Sequence, residues 1–344
     1  MMEANQITQF IANAKAHKAT DVHIISGAPV LYRVGRELLP ATKTKLTPAM
    51  AEQLVFQLLK EEQQQLFRQR LDFDLMAGDE NGRYRVNISY NDGAVGAVIR
   101  ILPEEPRSID ELKLPPVVSY LSGLTKGLVL ITGATSQGKT TTMSAMINEI
   151  NITQRKHIVT IEDPIETVHS NKMGIVRQRE VGRDTKDFHS GLRAALRQDP
   201  DVIAIGEMRD YETIRIALTA AETGVLVLST LHIISIDKMI ERVLSYAPPE
   251  EENHLRYMLA GALQGVIHQE LLPCPQGGKR VAVEVLIATD AAKNVMRGRG
   301  AFFLRNIIAT GSRYGMLTME QSVKGLLTEG AISQEVADNV MTNY

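Results

Sequence analysis

The spacing of apolar residues changes character along this chain, and the change separates two regions. Over residues 7–16, Ile7, Phe10, Ile11 and Ala14 recur at helical intervals, which gives an amphipathic helix one apolar face. Strand-like stretches follow at 22–25 and 30–34. A helix is then expected from about Pro48, with Thr47 as its N-cap and Pro48 at its first position. Further strands are expected at 73–76, 83–90 and 94–102, and the last two flank Asn91, Asp92 and Gly93, a turn signal that makes them a hairpin. Residues 1–104 thus read as a small mixed α+β domain.

Between 103 and 116 the sequence PEEPRSIDELKLPP is rich in proline and charge, with little apolar content before Leu112 and Leu114; residues 105–116 are expected to be a linker. From 117 to 344 the pattern alternates. Apolar runs at 128–131, 157–161, 202–205 and 225–229 suit buried strands, with helical periods between them. That alternation predicts an α/β domain: a parallel sheet covered by helices, with ligands at the carboxyl ends of its strands. From about Asp290 a tail of short helices is expected.

Composition narrows the picture. At 344 residues the chain can bury two cores. No apolar run approaches a membrane span, and Glu3 stands among polar residues where a secretory signal needs basic and then apolar ones, so a cytoplasmic location is expected. The single cysteine, Cys274, excludes an internal disulfide and a multi-cysteine zinc module, and reads as a small loop residue. The net charge is −2, and residues 1–104 carry 12 basic and 12 acidic side chains, a balance that disfavours a nucleic-acid partner.

The chemistry is concentrated after residue 127. The run Gly133, Ala134, Thr135, Ser136, Gln137, Gly138, Lys139, Thr140 fits G-x-x-x-x-G-K-[ST] at every fixed position, between a strand and a helix whose Met143, Met146, Ile147 and Ile150 share a face. Its two glycines permit a tight turn and close backbone approach. Successive N–H groups, with Thr141 in the first helical turn, can then cradle phosphates. Lys139 is expected on the β- and γ-phosphates and the Thr140 hydroxyl on Mg²⁺. At the end of the next apolar run stand Glu162, Asp163 and Glu166, where one carboxylate can polarise an attacking water and another orient Mg²⁺; Asp163 before Pro164 is also an ordinary turn signal. The run 202–205 ends in GEMRD, with Glu207 placed as the acid near Mg²⁺ or the attacking water, and 226–231 ends at His232, an imidazole able to bond a phosphate and respond to its loss. The other histidines, His17, His169, His189, His254 and His268 among them, show no metal-ligand spacing.

These motifs, in this order, give a resemblance over nearly the whole chain. ATDVH at 19–23, GRYRVN at 82–87, AVIR at 97–100, the phosphate loop, TIEDPIE at 160–166, RQREVG at 177–182, LRAALR at 192–197, GEMRD at 206–210, STLH at 229–232 and FLRNI at 303–307 resemble the secretion ATPases of the type II/type IV class, and within it the pilus retraction ATPases. The resemblance implies a PAS-like N-terminal domain joined flexibly to a RecA-like ATPase domain, assembly as a homo-hexamer, ATP and Mg²⁺ as cofactors, and an inner-membrane pilus platform protein as partner, with a paralogous pilus ATPase a further candidate. It implies that Glu166 activates water, Glu207 acts with Mg²⁺ and His232 senses nucleotide state, while Asp163 is read from its place after the apolar run as the carboxylate near the metal. It also implies that Arg85 and Arg100, or their neighbour Arg83, reach nucleotide across a domain or subunit contact. The expected function is a cytoplasmic motor at the inner membrane that retracts a type IV pilus. An accessory retraction paralogue, a secretion or conjugation ATPase and a non-hydrolysing regulatory subunit stand beside it.

The chain departs from the family's usual pattern at four places. Gln137 stands where Ser or Gly precedes the second loop glycine, Val225 where another histidine is usual, Ile233 and Ile234 where Thr-Asn follows the retained histidine, and Phe303-Leu304 where the tail motif begins Ala-Ile. One cysteine argues against the extension and secretion ATPases that carry a four-cysteine metal module.

Overall fold

The computed structural model describes residues 6–35, 37–79, 82–102, 105–298 and 300–342; Glu3, Pro103 and Glu104, which enter the sequence reading, lie outside the described residues. The chain divides into two compact units, Met1–Glu104 and Glu105–Tyr344.

In the first unit, α1 (Gln6–Ala16) precedes β1 (Asp21–Ile24), β2 (Leu31–Val34) and β3 (Glu37–Pro40). Then come α2 (Pro48–Phe56), α3 (Glu61–Arg70), β4 (Asp72–Asp79), β5 (Gly82–Asn91) and β6 (Ala94–Ile101). All pairings are antiparallel, in the order β3-β2-β1-β6-β5-β4. The apolar stripe of α1 (Ile7, Ile11, Ala14) is fully buried with Val22, Ile24, Ile88 and Ile99. Thr47 caps α2 by accepting from Met50 N at 3.3 Å. Asp92 and Gly93, at φ 51° and 74°, make the left-handed two-residue turn that joins β5 to β6. Two elements carry no periodic signal: β3 is exposed at all four positions, and α3 (EEQQQLFRQR) buries only Phe67, which stacks on Tyr90.

The second unit opens with α4 (Val117–Ser122), β7 (Gly127–Thr132), α5 (Lys139–Thr153), β8 (His157–Glu162), β9 (Ile175–Glu180) and α6 (Phe188–Ala195). It continues with β10 (Val202–Ile205), α7 (Tyr211–Glu222), β11 (Leu226–Leu231), α8 (Met239–Leu244), α9 (Glu252–Ala262), β12 (Leu263–Pro273) and β13 (Lys279–Ile287). The tail is helical: α10 (Asp290–Arg297), α11 (Leu304–Thr310), α12 (Met319–Thr328) and α13 (Gln334–Met341). The sheet runs β13-β12-β7-β11-β10-β8-β9. Along β7 the side chains alternate between two cores: Leu128 and Leu130 pack in the one containing α7 and α9, Val129 and Ile131 in the one containing α5. Burial on both faces is the reason the strand reads as an unbroken apolar run.

Three features differ from the sequence reading. The sheet is mixed, because β12 and β13 form a long hairpin through 274–278 that makes β13 antiparallel. The edge strand β9 (IVRQRE) carries no strand signal because its charged residues break the apolar run. The stretch expected as a linker is packed instead: Ile109 and Leu114 are 2% and 6% exposed and belong to the core around α5. Leu112, partly buried, packs against the same core, although the composition of the stretch hides all three. Among the described residues no helix is long and apolar enough to cross a membrane.

Candidate active site

The phosphate loop follows β7 directly. Gly133 sits at φ 148°, and a Cβ there would lie 2.5 Å from the Gln269 carbonyl oxygen on β12, so no side chain fits. Gly138, at φ 82°, is the N-cap of α5 and offers no side chain to its first turn. The free N–H groups and the positive end of the helix dipole are therefore left for an anion. Met143, Met146, Ile147 and Ile150 are at most 2% exposed, which anchors the helix beneath the loop.

Gln137, the bulky departure within the loop, ties it to β12. Its Oε1 accepts from Leu271 N at 2.5 Å, and its carbonyl accepts from Gln269 Nε2 at 2.6 Å. Beside the start of α5 lies a cavity of about 300 Å³ lined by Gly138, Thr141, Thr142, Leu112, Arg107 and Arg280 among others. Ala134, Thr135, Ser136 and Thr141 are exposed or partly so, and Thr140 is half-buried.

Lys139 is 6% exposed. Its Nζ donates to Gly133 O at 3.0 Å and Ala134 O at 2.7 Å, and to His232 Nδ1 at 3.2 Å. Burial lowers its pKa, and the Glu207 charge partly offsets this. Because an ammonium can only donate, Nδ1 of His232 accepts, and the ring proton falls on Nε2. That nitrogen lies 3.4 Å from Glu207 Oε2, which also accepts from Arg209 at 2.7 Å. Thr135 Oγ1 lies 3.4 Å from the same Nδ1. One chain of polar contacts thus runs from the phosphate loop through the β11 tip to the β10 tip: Lys139, His232, Glu207, Arg209. The contact with Glu207 raises the Arg209 pKa, to which Asp163 adds through its charge.

At the end of β8, Glu162 is buried and bonded by Thr160, and burial raises its pKa. Glu166 is exposed on the loop that follows. In the other unit Arg85 and Arg100 are cross-strand neighbours. Arg85 pairs with Asp74 at 3.6 Å and Arg100 with Asp21 at 2.9 Å. Among the described residues no group of three or more His, Cys, Asp and Glu side chains forms a metal-ligand set.

The structure therefore joins Lys139, His232 and Glu207, and sets Asp163 within electrostatic reach of Arg209. Arg209 is a site residue that the motifs leave without a role, although it stands two residues after Glu207 in GEMRD. Gln269 gives no signal in the sequence, since its role depends on β12 lying beside β7, a neighbour 132 residues away from Gln137.

A phosphate loop between a buried parallel strand and its helix, with an imidazole and a carboxylate at adjacent strand tips, defines a P-loop ATPase with a RecA-like domain. The chain belongs to the type II/IV secretion system protein family, whose profile matches residues 3–343. It is 41% identical over 332 residues to the type IV pilus retraction ATPase PilT of Pseudomonas aeruginosa, covering 96% of each chain. It is 42% identical over 286 residues to a twitching motility protein of Neisseria gonorrhoeae, covering 83% of this chain and 76% of that one. The crystal structure of the pilus retraction motor PilT with bound ADP superposes with a TM-score of 0.88 at 39% identity, covering 97% of this chain and 96% of the other.

Proposed function

We propose that this protein is a hexameric, cytoplasmic ATPase motor that couples ATP hydrolysis to retraction of a type IV pilus. The observation that carries the reading is the contact chain from Lys139 through His232 to Glu207, which links three strand tips around the phosphate loop. Residues 133–141 hold the triphosphate, and the cavity beside Thr141 and Thr142 receives the ribose and base. Lys139 exchanges its loop carbonyls for phosphate oxygens, a trade that an anion favours because the ammonium is poorly solvated where it stands.

Mg²⁺ fits this donor set. With no set of three or more His, Cys, Asp and Glu ligands among the described residues, the ion would be held by phosphate oxygens, water and the Thr140 hydroxyl, with Glu207 and Asp163 as the nearby carboxylates. Bound there, it neutralises developing phosphate charge. Glu166 activates the attacking water, and Glu207 orients the metal side of the site. His232, bonded to both Lys139 and Glu207, registers whether the phosphate is present. An arginine of the first unit, Arg85 or Arg100, completes the charge balance across a domain or subunit contact. The ring works against an inner-membrane pilus platform protein.

The test is turnover of Mg·ATP by the whole chain, with its mass measured by sedimentation in ADP, and disruption of the gene with scoring of pili and twitching. Steady hydrolysis by a hexamer, and hyperpiliated, non-twitching cells, are expected. A chain that binds ATP without cleaving it would instead be a regulatory subunit.

A further inference from the structure

Glu166 occupies an exposed position on the loop after β8, yet the residues on either side of it, Ile165 and Thr167, are buried. Both neighbours are gripped by side chains of one strand. On β9, Gln178 and Glu180 lie two apart and so share a face, opposite Thr160 and Glu162 of β8. Glu180 Oε2 accepts from Ile165 N at 3.1 Å. Gln178 Nε2 donates to Thr167 O at 2.8 Å and to Glu162 Oε1 at 3.0 Å. Its Oε1 accepts from His169 N at 2.8 Å. The amide of Gln178 thus spans the β8 tip and two points of the loop beyond it, with the Glu166 backbone held between Gln178 on one side and Glu180 on the other.

We infer that Gln178 is the positioning residue for Glu166, with Glu180 supporting it: the edge strand β9 fixes the loop so that the water-activating carboxylate is preorganised without itself being bonded. The inference rests on the proposed role of Glu166. The chemistry of the side chain is specific. The loop offers a carbonyl acceptor and an N–H donor, and Glu162 offers a further acceptor, so only a group with both functions at this reach serves all three. A carboxylate would serve His169 N alone and repel Glu162. An aliphatic residue would serve none. Because rate depends on placing the reacting atoms to within about 1 Å, loosening this loop can cost about a hundredfold in rate while leaving nucleotide affinity in place.

The test uses the full chain and Mg·ATP. Gln178→Leu and Gln178→Glu are each expected to lower kcat by about tenfold or more, with KM for ATP within about twofold of the parent. A double-mutant cycle then separates positioning from general weakening. In the Glu166→Gln background, single-turnover hydrolysis should fall no further when Gln178→Leu is added, because the group being positioned is gone. Binding of ADP by each variant reports an intact nucleotide site, and should Gln178→Leu fail that check, Gln178→Glu carries the cycle. Losses that multiply, or a kcat within about twofold of the parent in a variant that binds ADP, overturn the positioning role while leaving Glu166 as the base. Full turnover by Glu166→Gln overturns the role of Glu166 itself, and this inference with it.

Discussion

The two sheets of this protein handle charge in opposite ways. In the second unit, Lys139, His232 and Glu207 are far apart in sequence and follow three different strands, Lys139 at the start of the helix after β7, yet they contact one another in a single chain. Parallel strands cause this, since β7, β11 and β10 all point the same way and deliver whatever follows them to the same edge. In the first unit every strand runs against its neighbour. Arg85 and Arg100 lie side by side on β5 and β6, but each is already paired with an aspartate of an adjoining strand, Asp74 on β4 through an ion pair and Asp21 on β1 through a hydrogen bond. An antiparallel sheet spreads its charges along the strands, where they find local partners. A parallel sheet collects them. On this comparison the proposed nucleotide site draws on the second unit, and an arginine of the first would have to leave its own aspartate to take part.

The sharpest way to break the comparison is at the strand tips. Lys139→Ala is expected to remove measurable hydrolysis, a loss of about 10³-fold or more, while near-ultraviolet circular dichroism stays that of the folded protein. Glu207→Gln should bind ATP with parental affinity and cleave it about 10²-fold more slowly, measured by single turnover beside equilibrium binding. If Glu207→Gln loses affinity more than rate, the carboxylate grips nucleotide instead of orienting the metal side of the site.

The arginines sharpen it further. If Arg85 or Arg100 completes the site as proposed, its alanine variant should lower turnover by about 10³-fold without weakening ADP binding, and lysine should not restore it, because the guanidinium fork is what matches phosphate oxygens. The other, held at the surface by its aspartate alone, should change turnover by about twofold or less. Silent substitutions at Arg85, Arg100 and their neighbour Arg83 would leave the six-stranded sheet without a chemical part.

A smaller effect concerns where the second unit begins. Because Ile109 and Leu114 are buried in its core, a fragment starting at residue 117 should be less stable than one starting at 105, by roughly 1.5–3 kcal/mol for each side chain lost. Urea unfolding of the two fragments measures the difference, and equal midpoints would return 105–116 to the status of a linker.

The smallest effect is a pH dependence inside the second unit. Burial pushes the Glu284 carboxyl up to about 7, so the folded protein keeps a proton that the unfolded chain releases above its ordinary value of 4.5. Stability from this group therefore falls as pH rises from about 4.5 to 7 and is level beyond that. Burial pulls His169 and His268 down to about 4, which acts in the opposite sense: their share of stability is lost as pH falls below about 6.5. Glu284→Gln should accordingly gain up to about 3 kcal/mol over the parent at about pH 8 and nothing at about pH 4, by thermal unfolding at both. A gain equal at the two pH values would mean that packing, not the carboxyl charge, is at issue.

Much of the fold is legible in the sequence. Apolar runs locate β7, β8, β10 and β11 to within about two residues at either end, because strands buried on both faces leave no room for polar positions. The turn at Asp92-Gly93 and the Thr47 cap are legible for a different reason: each depends on residues adjacent in sequence. What stays hidden depends on partners far away. Strand β9 carries Arg177, Gln178 and Arg179, which look like a solvated loop until β8 is seen beside them. The packed stretch before α4 conceals Ile109 and Leu114 among prolines and charges. In the site, the fixed positions of the phosphate loop are plain, as are Glu207 and His232 at strand ends. The clasp of Gln137 by Gln269 and Leu271 requires the neighbour relation of β7 and β12, which no local pattern encodes.

The division of labour between the two sheets is tested most directly by ADP binding to a fragment of residues 105–344, measured by calorimetry beside the full chain. All of the phosphate loop, the strand-tip contacts and the adjoining cavity fall within those residues. If the second unit holds the nucleotide site by itself, the dissociation constant should lie within about threefold of the full chain's, a difference of less than about 1 kcal/mol. A fragment that folds but binds ADP about a hundredfold more weakly would place part of the nucleotide site in the first unit and contradict that division.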